Sequence, residues 1–452
     1  MKKLVSVILA LAMLISLMSI SATAEGGKTV VSIWTDSRND FDYMTQKVAE
    51  FNASHDKIEI DYQVMSDNYY QTLELSFDTG TAPDIYSSGQ NTWNLAAAGK
   101  AIALNDYLTD ELKAYFGGAS AFVEGVNMQD GKILTVPRTT AGARLVYNKD
   151  ILDAAGVEKV PETFDELVAA AKQITEKLSG QGIYGFAMNL KSPSSALSRT
   201  MDYLGTYLDG IWQGYDFKTG QYDFTKYTRM AGYFRKIFED HSEFPGCDQL
   251  DIDPLRTQFA AGHIGLYISY NSAEAGVYSS QFPTDANWDY APLPVYSKDE
   301  PVYSERADAG RSHFVSSSTQ HPDEAFEVLL WLSSPEVLND WYTAGYGLVT
   351  LSEVIESATP PEAIAKHPYM APQETDKIWP PAPTGLALEG ENYYTVFASY
   401  ILGIPGYEDI EALAQDLNTR YNSALEKGRA DGTVVSYTYP NFNPSDPGSS
   451  LN

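Results

Sequence analysis

Cysteine is nearly absent from the 452-residue chain, since Cys247 is the only one. A single cysteine cannot form an intrachain disulfide, so the fold must depend on an ordinary hydrophobic core, for which a hydrophobic content of 44% is sufficient. Cys247 follows the turn-like Phe244-Pro245-Gly246 and has no basic neighbour in sequence, so we interpret it as structural rather than nucleophilic. No cysteine lies directly after the apolar N-terminal stretch, which predicts that the protein is not lipid-anchored through cysteine.

Basic residues are scarce. The chain has 31 Lys and Arg against 60 Asp and Glu, a formal net charge of −29. A field of this sign repels nucleic acid and anionic membrane surfaces, so neither is predicted as a partner. An acidic surface also keeps an exported protein soluble, and no oligomer is indicated, so we expect a monomer.

The usual catalytic motifs are missing. The chain has no Gly-x-Ser-x-Gly elbow, no phosphate-binding Gly-Lys-Ser/Thr loop and no His-Glu-x-x-His helix. The six histidines are widely separated and none pair at metal-ligand spacing. We therefore expect no metal, no cofactor and no enzymatic activity. A secreted glycoside hydrolase stays open as an alternative, because sequence cannot show which carboxylates share a cleft.

Long apolar runs are absent except at the N-terminus. Lys2 and Lys3 precede the apolar stretch from Leu4 to Ile20, and the small residues of Ala22-Thr23-Ala24 follow it. This order is typical of a secretory signal peptide, which we place at residues 1–24, although an uncleaved membrane anchor is the alternative. The sequence thus predicts an exported protein that is periplasmic, extracellular or at the cell surface.

Short apolar runs alternate with helix-periodic segments through the first two thirds of the chain. The predicted strands are residues 29–34, 58–64, 85–86, 134–136, 145–147, 183–187 and 264–268. One intervening helix begins with a capping box, Thr163-Phe164-Asp165-Glu166. Strands that alternate with helices indicate crossover connections, so we predict an α/β fold with mixed, largely parallel sheets flanked by helices. The last third is predicted to be mostly helical, and residues 441–452 to be a disordered tail.

Aromatic residues are abundant, at 12% of the chain with 31 Tyr and seven Trp. Tyr and Trp offer a flat apolar face with a polar group, which suits sugar rings. Ligands of open α/β sheets bind beyond the carboxyl ends of strands. The candidates at predicted strand ends are Trp34, Asp36, Ser37, Gln90, Asn91, Trp93, Thr139, Thr140, Tyr270 and Asn271.

An ordered set of motifs resembles the family 1 extracellular solute-binding proteins of ABC importers, of the maltodextrin-binding type. The motifs are Phe51-Asn52 to Tyr62, Tyr69-Tyr70-Gln71, Gly80-Thr81-Ala82-Pro83-Asp84-Ile85, Asp130-Gly131-Lys132-Ile133-Leu134-Thr135-Val136-Pro137, Leu145-Val146-Tyr147-Asn148-Lys149-Asp150, Pro161-Glu162-Thr163-Phe164-Asp165-Glu166-Leu167 and Phe259-Ala260-Ala261-Gly262-His263. Phe164 replaces the family's tryptophan and His263 its lysine. From Thr350 onwards the chain matches no particular subfamily.

The resemblance implies a two-lobed periplasmic-binding-protein fold with three hinge crossings. By similarity, the crossings are expected near Thr140–Ala143, Tyr270–Ser272 and Gly310–Phe314. The implied first lobe is residues 25–141 with 272–310, and the second is 142–271 with 311–440. Closure about the hinge would bury a solute between the lobes.

The resemblance also implies a carbohydrate ligand and the transmembrane permease of an ABC importer as partners. It adds Trp212 as an aromatic floor of the second lobe, together with Arg311 and Tyr346. The same fold binding a peptide, a polyamine or another small polar solute is the alternative, and a sensor subunit has the same sequence features.

Overall fold

A computed structural model describes residues 27–450 except residues 39, 66–67, 89, 119–120, 308–311 and 360. The predicted signal peptide and Arg311 lie outside the described residues. Within those residues, no helix has both the length and the apolar character needed to cross a bilayer. The described chain packs as two compact units. Unit 1 contains the residues up to Ile102 together with His313–Leu332, and unit 2 contains Ala103–Ser312 and the residues from Ser333 onwards.

Unit 1 is built on a four-stranded sheet. The strands lie in the spatial order Ser312–Val315, Ile85–Ser88, Thr29–Thr35 and Ile58–Val64. The strand Thr29–Thr35 pairs in parallel with both of its neighbours. Its side chains alternate between buried and half-buried positions, as expected for a strand with one face on a core. The parallel strands predicted for this region are confirmed.

Several α-helices of unit 1 accompany this sheet in the described part of the chain. They are Phe41–Ser54, Tyr69–Thr79, Gln90–Leu95 and Pro322–Leu332. In the first of them Met44, Val48 and Phe51 are buried, and Phe51 packs on Trp331 with ring centres 4.8 Å apart.

Asp84 links three segments of unit 1. Its Oδ2 accepts from the backbone amide and the hydroxyl of Ser32, both at 2.8 Å, and its Oδ1 accepts from the Thr319 hydroxyl at 2.6 Å. The Gly80 to Ile85 motif therefore has a structural role, because its carboxylate links the middle of the strand Thr29–Thr35 to the segment that follows Ser312–Val315.

Unit 2 contains a second four-stranded sheet of mixed direction. Its strands lie in the order Trp288–Ala291, Ala143–Asn148, Ile264–Tyr270 and Tyr184–Phe186. Ala143–Asn148 is antiparallel to both neighbours, whereas Ile264–Tyr270 and Tyr184–Phe186 are parallel. All residues of Ile264–Tyr270 except the last are buried, so the strand is covered on both faces.

The helices of unit 2 include the predicted capped one. Phe164–Leu178 begins at Thr163, whose hydroxyl accepts from the amide of Glu166 while the Glu166 carboxylate accepts from the amide of Thr163. The other α-helices are Asp110–Tyr115, Lys149–Ala155, Pro193–Arg199, Met201–Leu204, Thr228–Glu239, Ile252–Ala260, Glu274–Gly276, Pro335–Thr343, Ser352–Ser357, Glu362–Lys366, Tyr393–Leu402 and Ile410–Asp431. Short paired strands complete the unit, and they are Met128–Gln129 with Lys132–Ile133, Thr139–Thr140 with Leu348–Val349, Tyr215–Asp216 with Gln221–Tyr222, and Glu305–Ala307 with Asp376–Ile378.

The strand predicted at residues 134–136 is wrong. Lys132–Ile133 instead pairs with Met128–Gln129 as a hairpin. Asp130 and Gly131 both have positive φ, at 51° and 73°, which is the backbone of a two-residue hairpin turn, so the strand starts directly after Gly131, two residues before the predicted start.

The units differ in their bounds from the predicted lobes. Residues 272–310 were expected in the first lobe, yet the fully buried strand Trp288–Ala291 pairs with Ala143–Asn148 in unit 2. Residues from 311 were expected in the second lobe, yet Ser312–Val315 joins the sheet of unit 1. Strand pairing decides both assignments, and the hinge crossings themselves stay a prediction.

The segment predicted as a disordered tail is packed where the structure describes it. Phe442 is 6% exposed and contacts Trp379 at a ring-centre distance of 5.3 Å. The carbonyl of Pro444 accepts from the hydroxyl of Ser304 at 2.6 Å. Burial of the Phe442 side chain favours an ordered conformation of this segment, which its polar composition did not indicate.

Candidate functional site

In unit 1, candidate side chains follow the strand Thr29–Thr35. Trp34 and Asp36 are half-buried, whereas Ser37 is buried. The Thr35 hydroxyl accepts from the Ser87 hydroxyl at 2.8 Å and from the amide of Ser37 at 3.1 Å. Ser37 donates to Asp40 at 2.6 Å. Hydrogen bonds between two strand ends therefore fix this loop and leave Trp34 and Asp36 as its more open side chains.

The second candidate set of unit 1 begins the helix Gln90–Leu95. The side chains of Gln90 and Asn91 lie outside what the structure describes. Trp93 is half-buried, with its ring centre 6.2 Å from that of Phe314. Arg311, predicted as a ligand contact by the family resemblance, is also outside the described residues.

In unit 2, three rings form one cluster, which we call the aromatic cluster: Tyr203, Trp212 and Tyr270. Tyr203 lies edge-on to both others, with ring centres 5.6 Å from Trp212 and 5.8 Å from Tyr270. Tyr203 and Trp212 are buried, and Tyr270, the last residue of its strand, is half-buried. Trp212 and Tyr270, which were predicted separately, are thus linked through a ring that was not predicted.

An arginine lies over each outer ring of the aromatic cluster. The Arg306 guanidinium is 4.1 Å from the Trp212 ring centre, and the Arg199 guanidinium is 5.0 Å from that of Tyr270. Both arginines are 8% exposed. Burial lowers the pKa of Arg199, since it disfavours the charged form. Cation–π contacts of this kind hold a guanidinium at a fixed position and leave its edge available for hydrogen bonds.

A buried carboxylate lies next to Tyr203 in sequence. Asp202 has no exposed surface and accepts hydrogen bonds from the hydroxyls of Tyr393 at 3.0 Å, Tyr394 at 2.7 Å and Tyr227 at 3.3 Å. Burial raises the pKa of Asp202 to about 7, and the hydroxyl donors oppose this effect. Asp202 therefore joins the helices Met201–Leu204 and Tyr393–Leu402 behind the aromatic cluster.

A tight turn positions Trp212. Gln213 and Gly214 both have positive φ, at 53° and 76°, and Trp212 pairs with Tyr215 across them. A Cβ at Gly214 would lie 2.2 Å from the ring of Phe224, so only glycine fits there. The Gln213 amide also donates to the Tyr394 hydroxyl at 3.4 Å. Left-handed backbone at a non-glycine residue is uncommon and is often found at functional sites.

Asn271, predicted as a ligand contact, serves the fold. Its Oδ1 accepts from the amide of Gly142 at 2.7 Å, its Nδ2 donates to the carbonyl of Met370 at 2.9 Å, and its backbone carbonyl accepts from the Tyr290 hydroxyl at 3.1 Å. Asn271 is 1% exposed and holds three segments together, and its role as a ligand contact stays a prediction.

The remaining candidates of unit 2 lie in other places. Thr139 is buried and Thr140 half-buried, and both pair with Leu348–Val349. Tyr346 is half-buried beside Trp341, with ring centres 6.4 Å apart. The roles of these three residues as ligand contacts stay predictions, because none of them belongs to the aromatic cluster.

Sequence reasoning missed Tyr203, Arg199, Arg306 and Asp202. Arg199, Asp202 and Tyr203 lie on helices, and Arg306 lies on the short strand Glu305–Ala307, which was not predicted, so strand-end position gave no indication of them. The one available signal is the run Asp202-Tyr203 shortly before Trp212-Gln213-Gly214, in which polar residues interrupt an otherwise apolar stretch.

Two further predictions concern reactive groups. Cys247 is buried, its thiol donates to the carbonyl of Phe244, and burial raises the pKa of the thiol to about 12, as befits a structural cysteine. Across the described ranges, no three His, Cys, Asp or Glu side chains are grouped so that they could hold a metal ion.

Two α/β units, each with candidate polar or aromatic side chains at strand ends, define the class of two-lobed solute-binding proteins. The chain belongs to the bacterial extracellular solute-binding protein family, whose sequence profile matches residues 35–338. The resemblance found in the motifs is confirmed by this match, and so is the α/β fold class.

Known relatives share limited identity with the chain. A binding protein of Brucella abortus is 24% identical over 264 residues, which is 56% of this chain and 61% of that protein. The diacetylchitobiose-binding protein DasA of Streptomyces coelicolor is 29% identical over 170 residues, which is 36% of this chain and 38% of that protein. The chain thus spans about three fifths or less of the length of these relatives.

Solved structures show the same fold. The sugar-binding protein MalE of Xanthomonas citri has a TM-score of 0.64 and 20% sequence identity, and the match covers 89% of this chain and 99% of that one. At this identity the likeness establishes the fold and leaves the solute to be inferred from the site.

Proposed function

We propose that the protein is the extracytoplasmic binding component of an ABC importer, and that it captures a carbohydrate, an oligosaccharide, and passes it to the permease without turnover. The aromatic cluster of unit 2 is the observation that supports this most. Its half-buried ring, Tyr270, is flanked by the guanidinium of Arg199 and backed by a second ring, Tyr203. A sugar presents C–H groups on its faces and hydroxyls at its edges, and this arrangement offers a partner for each.

The relatives agree with this chemistry. The Streptomyces protein is named for diacetylchitobiose and the Xanthomonas protein for sugar binding. Since the chain matches only part of the former and shares only the fold with the latter, the substrate and the permease partner are proposals for this protein.

A polyamine or peptide is the alternative within the same fold. The net charge of −29 favours a cationic solute in general. At the aromatic cluster itself, however, the charges over the rings are those of two arginines, which repel a polyamine. The local charge therefore favours the carbohydrate.

Thermal unfolding against a panel of ligands tests the proposal. A ligand that binds only the native state, at a hundred times its dissociation constant, adds about 2.7 kcal/mol of stability. We expect one or more oligosaccharides to raise the unfolding temperature, with no product formed by chromatography. A rise only with peptides or polyamines would exclude the carbohydrate, and new reducing ends would indicate a glycoside hydrolase.

Closure of two lobes about the solute, a monomeric state and retention outside the cytoplasm without a cysteine-linked lipid all stay predictions. Small-angle X-ray scattering with and without the stabilising ligand addresses the first two, since closure reduces the radius of gyration and the scattered intensity gives the mass.

A further inference from the structure

Arg199 is a buried cation with incomplete hydrogen bonding. Its Nε donates to the carbonyl of Ser195 at 2.8 Å, its Nη1 to the hydroxyl of Ser269 at 3.3 Å and its Nη2 to the hydroxyl of Ser195 at 3.1 Å. A guanidinium has five N–H groups, so two of those on Arg199 lack a partner within the described part of the chain. All three partners are neutral.

Two other buried arginines of unit 2 are paired with carboxylates. Arg144 contacts Glu305 at 2.8 Å and Asp376 at 2.6 Å, and Arg256 contacts Glu274 at 2.7 Å. Among the described residues, no carboxylate lies within hydrogen-bond distance of Arg199. Within the described part of the chain, hydrogen bonds link Arg199 to a carboxylate only indirectly: it donates to the Ser269 hydroxyl, which in turn donates to Glu274 at 2.6 Å. Burial without a paired anion is costly, and it lowers the pKa of Arg199.

The acids around the aromatic cluster are already engaged. Glu274 accepts from Arg256 through both of its oxygens, and Asp202 accepts from three tyrosine hydroxyls. Arg306 places a second guanidinium on the same cluster, over Trp212. The cluster thus combines two cations with a half-buried ring in a chain that otherwise has about twice as many acidic as basic residues.

We propose, resting on the carbohydrate-binding function above, that the solute is an acidic carbohydrate, and that Arg199 pairs with its carboxylate while the sugar ring packs on Tyr270. A uronate-containing oligosaccharide has this chemistry. The planar fork of a guanidinium matches the two oxygens of a carboxylate, and such charge-assisted pairs are stronger than bonds to neutral hydroxyls.

Isothermal titration with matched acidic and neutral sugars tests this inference. The probes are trigalacturonate and a xylotriose bearing one glucuronate, each beside its carboxyl-reduced counterpart, with maltotriose and raffinose as neutral references. We expect at least one acid to bind about tenfold or more tightly than its reduced form. Equal or tighter binding of the reduced forms, or binding of the neutral references alone, would overturn the inference and leave the proposed function intact. No binding by any carbohydrate would overturn both.

Variants then locate the contact. Arg199→Gln should weaken the acid about tenfold or more and change the affinity for the reduced sugar by less than about threefold. Arg235→Gln is the matched control, because Arg235 also lies over a tyrosine ring, 6.0 Å from the centre of Tyr400, and should leave both affinities unchanged. If the glutamine variant does not fold, Arg199→Lys is used instead. It keeps the positive charge and should still bind the acidic sugar more tightly than the reduced one. Equal losses for both sugars in Arg199→Gln would contradict the assignment.

Discussion

The guanidinium of Arg306 covers the ring of Trp212 at 4.1 Å, and both side chains are buried, at 8% and 5% exposure. Family resemblance nominated Trp212 as the floor of the ligand site. In the structure the guanidinium lies over one face of that ring, the role of Trp212 as a floor stays a prediction, and Tyr270 is the more exposed ring of the aromatic cluster.

Replacing Arg306 with leucine is expected to lower the free energy of unfolding by about 1–2 kcal/mol. The variant loses a desolvated cation–π contact and the packing of the arginine side chain on Trp212. Urea unfolding followed by circular dichroism measures the change.

Arg235→Leu is the control for this prediction. Arg235 forms an ion pair with Glu239 at the surface and lies farther from its ring, 6.0 Å from the centre of Tyr400, and such exposed contacts contribute about 0–1 kcal/mol. Equal losses in the two variants would mean that the Arg306–Trp212 stack makes no special contribution.

Asp202 is expected to make stability depend on pH. Its pKa is raised by burial from 3.8 to about 7, so between these values the folded state binds a proton that the unfolded state does not. The stability it contributes is fully present below pH 4 and is lost as the pH rises to about 7. Asparagine does not titrate, so the Asp202→Asn variant lacks this pH-dependent loss. The free energy of unfolding of the variant minus that of wild type should therefore rise by up to about 4 kcal/mol from pH 4 to pH 7.

Only the change with pH is compared, which removes any constant effect of the altered hydrogen bonds to the three tyrosines. Asp299→Asn, at an exposed position, should differ from wild type by less than about 0.5 kcal/mol at every pH. Parallel pH profiles for wild type and Asp202→Asn would show that burial does not raise the pKa of this carboxyl.

Asn271→Ala is expected to cost about 2–4 kcal/mol of unfolding free energy. It leaves the buried amide of Gly142 and carbonyl of Met370 without their side-chain partner, and each such group costs about 1–3 kcal/mol. Thermal and urea unfolding give the loss. Asn287→Ala, whose residue is exposed in a loop, should cost less than about 0.5 kcal/mol. A similar small cost for Asn271→Ala would contradict its role as a tie between segments.

Local features of the fold were predictable because they depend on neighbouring residues. The capping box was predicted from the four residues that begin at Thr163, and the buried residues Met44, Val48 and Phe51 recur at intervals of four and three, as a helix requires. The lobe bounds were not predictable, because the pairing of Trp288–Ala291 with Ala143–Asn148 joins segments about 140 residues apart, and a short apolar run gives no indication of its partner.

Some residues of the candidate site could likewise be predicted from the sequence, and others could not. Tyr270 and Trp212 could be nominated, since aromatic residues at a strand end or by family position are visible in the sequence. Arg199, Arg306 and Asp202 could not, because a buried charge is recognisable only once its tertiary partners are known. The hydrogen bonds of Asn271 could not be predicted for the same reason, because its partners lie at Gly142 and Met370.

The central claim is that a carbohydrate binds at the aromatic cluster, and isothermal titration of the most stabilising sugar into wild type and Tyr270→Ala tests it most directly. The account predicts that wild type binds, that Tyr270→Ala binds about tenfold or more weakly because a central packing ring is lost, and that Tyr400→Ala is unchanged. Equal affinity in wild type and Tyr270→Ala, or no carbohydrate binding by wild type, would contradict it.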